Sequence, residues 1–208
     1  MAARDEKIPE DAITIIPTTD RAAIDVLLKL NDSIDLVIPR GGAGLIHKVI
    51  AESTIPVIAH DAGICHVFID ESADTQMSID IVRESKIRQM AVCNAVETLL
   101  CHRAASKTVL PSVLKSLHEA GVEIRGCEET RAVFSESVAA TEADWSEEFL
   151  SPTLAVRVVA SMDEAIDHIR TYGSNHTEII ITNDYANSQN WLRRVNSSTV
   201  GVNCATGF

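Results

Sequence analysis

Four short stretches carry side chains able to do chemistry. "QMAVCNAVETLL" (89–100) sets Cys93 between an amphipathic stretch and an apolar run. A thiolate is a strong nucleophile toward acyl groups where nearby donors lower its pKa; otherwise a cysteine packs as a small apolar filler. No Lys or Arg stands within three residues of Cys93, and Asn94 is its polar neighbour and a candidate hydrogen-bond donor. "HDAGICH" (60–66) gathers His60, Asp61, Cys65 and His66 in one loop. It reads as a ligand-facing loop at the end of a strand, or as a turn with an Asx bond from Asp61 and a positive φ at Gly63. "PRGGAG" (39–44) brings Arg40, Gly41 and Gly42 together ahead of a helical pattern. Glycines let the backbone approach an anion and Arg adds a fork of donors, although the stretch matches no standard phosphate-loop pattern and a tight turn with a solvent-facing Arg also explains it. In "YGSNHTE" (172–178), His176 and Thr177 follow a turn at Ser174 and Asn175. His176 could touch a substrate or cap that turn. His168, on the preceding helix, reads as a surface or half-buried residue.

The elements that must position these residues alternate. Apolar runs at 12–16, 34–38, 55–60, 65–70, 97–102, 122–126, 153–160, 177–182 and 198–203 read as strands. Helical patterns fill 20–30, 45–53, 73–89, 110–121, 161–173 and 184–195, with Ser161 and Glu164 forming a capping box and Gly121 and Gly173 closing their helices. Residues 127–150 are acidic and weakly periodic and read as an irregular surface excursion. Alternation with short connections predicts an α/β protein with a parallel sheet and right-handed crossovers.

Composition narrows the function. Thirty Asp and Glu against 18 Lys and Arg give a formal charge of −12, which disfavours nucleic acid and anionic membrane surfaces as partners. No apolar run approaches the roughly 18 residues of a membrane span, and the polar start "MAARDEKIPED" lacks a secretory core. Five widely spaced cysteines without a CxxC pair fit reduced thiols in the cytoplasm and argue against a zinc site.

Six stretches together resemble one family: "IDLVIPRGGAGLI" (34–46), "PVIAHDAGICHVFID" (56–70), "AVCNAVETLL" (91–100), "GVEIRGCEETRAV" (121–133), "SMDEAIDHIRTYGSNHTEIIIT" (161–182) and "TVGVN" (199–203). They resemble the gamma-glutamyl phosphate reductases of the aldehyde dehydrogenase superfamily, over nearly the whole chain. The resemblance implies an aldehyde dehydrogenase-like catalytic α/β domain over 61–208, preceded over 1–60 by the tail end of a Rossmann-like cofactor domain. It implies NADPH-dependent reduction of L-glutamyl 5-phosphate to L-glutamate 5-semialdehyde and phosphate in proline biosynthesis, through a thioester on Cys93. His60, Asn94, His176, Thr177 and Asn203 would meet the substrate. Arg40, Gly41 and Gly42 would meet NADP(H), and no metal is implied. His60 stands where hydrolytic relatives carry the Glu that activates water, and its presence fits a phosphate-using enzyme.

The chain also departs from the family. Ala91 replaces a Gly before the catalytic loop and Gly207 replaces an Arg. Segments that complete the cofactor site lie outside the matched span, so a partial form is expected, with self-association or a complementing chain. The competing readings are a non-catalytic remnant or interaction domain, and a thioester-forming aldehyde dehydrogenase with another acyl substrate.

Overall fold

The computed structural model describes residue 9, residues 11–59 and residues 62–207. The chain divides into two compact units, Met1–Asp61 and Ala62–Phe208.

In the first unit, helices α1 (Ala22–Leu27) and α2 (Ala43–Glu52) are joined by an extended segment. The strands expected there are not built. Ile13 and Ile15 are 86% and 90% exposed, so the 12–16 run buries almost nothing, and β propensity without a packed face does not make a strand. The runs at 34–38 and 55–60 shrink to a single parallel bridge between Val37 and Val57. His60 and Asp61 lie outside the described residues.

The second unit is built on strands β1 (Cys65–Ile69), β2 (Val96–His102), β3 (Glu123–Gly126), β4 (Val138–Ala139), β5 (Thr153–Val159), β6 (Thr177–Ile181) and β7 (Thr199–Val202). They form one sheet in the order β4-β3-β5-β2-β1-β6-β7, and each adjacent pair is parallel. Helices α3 (Thr75–Ile87), α4 (Leu110–Glu119), α5 (Glu128–Val133), α6 (Met162–Tyr172) and α7 (Tyr185–Arg194) connect them.

The side-chain alternation of a strand divides the core in two. Val67, Leu99 and Ile179 face one way and pack with Ile81, Val82, Leu110 and Leu114. Phe68, Leu100 and Ile180 face the other way and pack with Ile166, Ile169 and Trp191, where the Phe68 and Trp191 rings stack at 5.6 Å. Both faces are covered, which explains the near-continuous apolar strands.

Side chains and turns set the helix ends. Asp74 accepts from the Met77 N–H and Asp184 from the Asn187 N–H, as N-caps do. Ser161 accepts from the Glu164 N–H, but Glu164 reaches back to the Ala160 N–H. Gly121, at φ +84, turns the chain out of α4.

Residues 127–150 differ from the expected excursion. They contain α5, β4 and a 3-10 turn at Glu142–Ser146, closed by a capping box between Thr141 and Asp144. Arg125 binds Asp144 at 2.6 Å, tying the segment to β3. His168 also departs from its reading: it is 3% exposed, and Arg157 donates to its Nδ1 at 3.1 Å.

Candidate active site

Because the strands are parallel, the segments that precede β1, β2 and β6 reach the same edge of the sheet. Cys93 precedes β2, Gly63 and Ile64 lead into β1, and Ser174 to His176 lead into β6. The edge is held together by specific bonds. The Ile64 N–H donates to Ser174 Oγ at 2.9 Å, and the Gly63 N–H to Glu148 Oε1 at 2.8 Å.

Cys93 occupies a turn closed by the Ala95 N–H on the Val92 carbonyl at 3.0 Å. Its carbonyl is gripped from two sides. The Cys65 thiol donates to it at 3.3 Å, and a Cβ added at Gly63 would stand 2.0 Å from it. Gly63 is therefore needed for close approach, since any side chain there would collide with the backbone of the turn. Cys65 Sγ also lies 3.5 Å from His176 Nδ1, and that nitrogen lies 2.9 Å from Thr177 Oγ1.

The two ends of the Cys93 segment are joined by a buried ion pair. Lys86, in the last turn of α3, meets Glu97, at the start of β2, at 2.5 Å, and both side chains are 0% exposed. Glu97 also accepts from the Leu150 N–H at 3.1 Å. Burial pulls the Lys86 pKa down and pushes Glu97 up, and each charge opposes the shift of the other. Below Cys65, His66 and Glu178 make a second buried pair at 2.9 Å.

Burial sorts the cysteines chemically. Desolvation pushes the Cys65 thiol far above its ordinary pKa and the Cys101 thiol up to about 12; both residues are 0% exposed. Desolvation also raises Cys204. Cys93 is half-buried, on a turn at the sheet edge. The thiolate is the reactive form, so Cys65 and Cys101 suit structural roles.

The structure thus brings Cys93, His176 and Thr177 to one edge, and Asn94 lines a cavity beside the turn. It does not bring Asn203 there. Pairing of Thr177 with Thr199 through Ile180 with Val202 puts residue 203 beyond the carboxyl end of β7, at the opposite edge. Its amide exchanges two 2.9 Å bonds with Thr182. Of the "HDAGICH" stretch, the described residues Ala62 to Ile64 lead into the amino end of β1. Sequence reasoning missed the roles of Gly63, Cys65, Glu148 and Lys86–Glu97. The short distance from Lys86 to Glu97, spanning the Cys93 turn, was the signal available. No group of three or more metal-ligating side chains occurs among the described residues, and no described helix is long and apolar enough to cross a membrane.

No protein-family model matches the chain. Among curated proteins, the gamma-glutamyl phosphate reductase of Magnetococcus marinus is 46% identical over 205 residues, covering 97% of this chain and 48% of the relative. That of Caldanaerobacter subterraneus is 47% identical over 207 residues, covering 100% of this chain and 50% of the relative. The crystal structure of the Thermotoga maritima gamma-glutamyl phosphate reductase matches with a TM-score of 0.93 at 40% identity, covering 99% of this chain and 50% of that one. This chain is a homologue of gamma-glutamyl phosphate reductases. It spans about half the length of the curated relatives it matches. The fold extends further: an acetylating aldehyde dehydrogenase from Geobacillus thermoglucosidasius has a TM-score of 0.74 at 19% identity, covering 100% of this chain and 54% of that one.

The first unit carries the glycine stretch that the family resemblance assigns to a nicotinamide dinucleotide. A surface hollow there is lined by Arg21, Gly41, Gly42, Gly44, Leu45 and Lys48, with Ile24. Cβ atoms at Gly42 and Gly44 would meet nothing within 4 Å, and α2 starts directly after Gly42. Glycine backbone, a helix start and two cations suit the phosphates of a dinucleotide. Lys48 shares its charge with Asp25 at 2.7 Å, and Arg40 is exposed and does not line the hollow.

Proposed function

We propose that this chain takes part in the NADPH-dependent reduction of L-glutamyl 5-phosphate to L-glutamate 5-semialdehyde and phosphate, with Cys93 as nucleophile. The observation that carries this reading is the half-buried Cys93 on a turn pinned by Gly63 and Cys65, in a chain whose relatives bear that enzyme's name.

The Cys93 thiolate attacks the acyl carbon, a C–S bond forms, and the C–O bond to phosphate breaks. Phosphate departs with the electron pair, leaving a thioester. The Cys93 N–H stabilises the oxyanion formed during attack. A bound NADPH would supply hydride to the acyl carbon; the aldehyde would form as the C–S bond breaks and the electron pair returns to sulfur, restoring the Cys93 thiolate. His176, Thr177 and Asn94 orient the substrate beside the sulfur. His60 belongs with the substrate-binding residues, and the absence of a Glu base at that position fits a thioester that must escape hydrolysis. Gly41 and Gly42, with Arg21 and Lys48, hold the cofactor phosphates. A cytoplasmic setting, and assembly with a second copy or a complementing chain, belong to the same reading.

The test runs the reaction in reverse. The purified chain is given NADP+, glutamate 5-semialdehyde and phosphate, and NADPH formation is followed beside Cys93→Ser. Turnover that falls by about 1,000-fold or more in the variant supports the reading. A variant as active as the parent contradicts it, and a folded chain without turnover contradicts activity of the chain on its own.

A further inference from the structure

A cavity of about 80 Å³ opens beside the Cys93 turn. Glu84, Arg88 and Gln89 wall it at the end of α3, Val92 and Asn94 flank Cys93 on either side, and Gly207 lies opposite in sequence. We infer that this cavity receives the α-amino-acid end of the substrate, Arg88 binding its carboxylate and Glu84 its ammonium. The inference rests on the reductase reading for the identity of the acyl group, and on the cavity itself for the zwitterion.

Four observations support it. Arg88 and Glu84 present opposite charges 3.0 Å apart, on side chains 62% and 49% exposed. An exposed pair of this kind contributes little to stability, so a ligand carrying both charges can part it and satisfy each half. The fully buried Lys86–Glu97 pair nearby could not be parted so cheaply. Asn94 and Gln89 add amide groups that both donate and accept.

The third observation is a buried hydroxyl without a partner. Thr206 is 0% exposed and its Oγ1 makes no hydrogen bond. Its N–H donates to Ser85 Oγ at 3.0 Å, and Ser85 and Gly207 both line the cavity. Thr206 does not itself line the cavity, but its N–H bond to Ser85 seats Gly207 at the cavity wall. Finally, the cavity adjoins the nucleophile through Val92 and Asn94, its sequence neighbours on either side, which both line it. A ligand anchored there would extend its side chain toward Cys93.

The experiment is calorimetric titration of the purified chain with L-glutamate, L-norvaline and glutarate, repeated with Arg88→Gln and Glu84→Gln. Both substitutions fall on exposed helix positions, and circular dichroism checks that the variants fold. L-Glutamate and L-norvaline are expected to bind, with glutarate at least about ten-fold weaker because it lacks the ammonium. Each substitution is expected to weaken L-glutamate by about ten-fold or more, the worth of one charge-assisted bond. Absence of L-glutamate binding, equal affinity in parent and variants, or equal affinity for glutarate overturns the inference. Glutamate binding that depends on Arg88 and Glu84, in a chain whose Cys93 takes no acyl group, would sink the reductase reading and leave this one standing.

Discussion

At the carboxyl edge of the sheet, polar side chains bind one another. Asp70 accepts from Ser72 at 2.9 Å, from Thr182 at 2.7 Å and from Asn187 at 3.1 Å, and Asn203 closes onto the Thr182 backbone. Burial pushes the Asp70 carboxyl up, but the donors from Thr182, Asn187 and Ser72 outweigh it and hold it below the ordinary range. At the amino edge the arrangement is of another kind. There the bonds converge on backbone atoms of the Cys93 turn, and the Cys93 residue itself stays half-exposed. One edge is saturated and stabilises the fold; the other is braced from behind and open in front. Ligands of open α/β sheets usually gather at the carboxyl ends, so the proposal that Cys93 reacts at the amino edge rests on this distribution of bonds and not on the fold.

The comparison can be broken most severely at the brace. Lys86→Met should leave Glu97 buried and unpaired and cost about 3–5 kcal/mol in urea unfolding, and adding Glu97→Leu should recover most of it. A loss under about 1 kcal/mol would mean that the pair does not brace the turn.

The next largest effect is expected with pH. Burial, then His66 and Arg157, push His168 down to about 3 from 6.5. Its folded pKa is below its unfolded one, so the unfolded chain binds more protons between those values. The associated stability is complete above pH 6.5 and falls as pH drops toward 3, by about 1.4 kcal/mol per pH unit. His168→Gln should flatten the acid limb by about 2–3 kcal/mol at about pH 4.5; an unchanged limb would contradict the assignment.

Two smaller changes separate the edges. Gly63→Ala should cost about 1–3 kcal/mol as the new Cβ displaces the Cys93 carbonyl, and should slow acyl transfer to Cys93 by about ten-fold or more. Asn203→Ala should cost about 1–2 kcal/mol through two lost hydrogen bonds and leave acyl transfer as it was. If Asn203→Ala slows acyl transfer while Gly63→Ala does not, the roles of the edges are reversed.

The strands β1, β2, β5 and β6 were legible because both faces of each are covered, so each reads as a short apolar run. The 12–16 run had the same composition and formed no strand, because propensity reports a chance of burial and Ile13 and Ile15 find none. The segment 127–150 misled for the opposite reason: its order comes from polar devices, the Thr141–Asp144 box and Arg125–Asp144, and these carry no period. Cys93, His176 and Thr177 were found through a family resemblance carried by local motifs. The support of the site was not visible that way. The Cys65–Cys93 contact depends on Cys65 pairing with Val96 across two strands, and Lys86 and Glu97 look in sequence like surface charges. The position of Asn203 beyond the carboxyl end of β7 was not legible, because its motif gives no direction along the sheet.

Acyl transfer tests the central claim most directly. The chain is mixed with freshly prepared L-glutamyl 5-phosphate without cofactor, quenched in acid, and its peptides are weighed while released phosphate is measured. The account predicts one glutamyl group on the Cys93 peptide and matching phosphate release, both lost in Cys93→Ser. No adduct on a folded chain, or an adduct on Cys204 or another residue in place of Cys93, would contradict it.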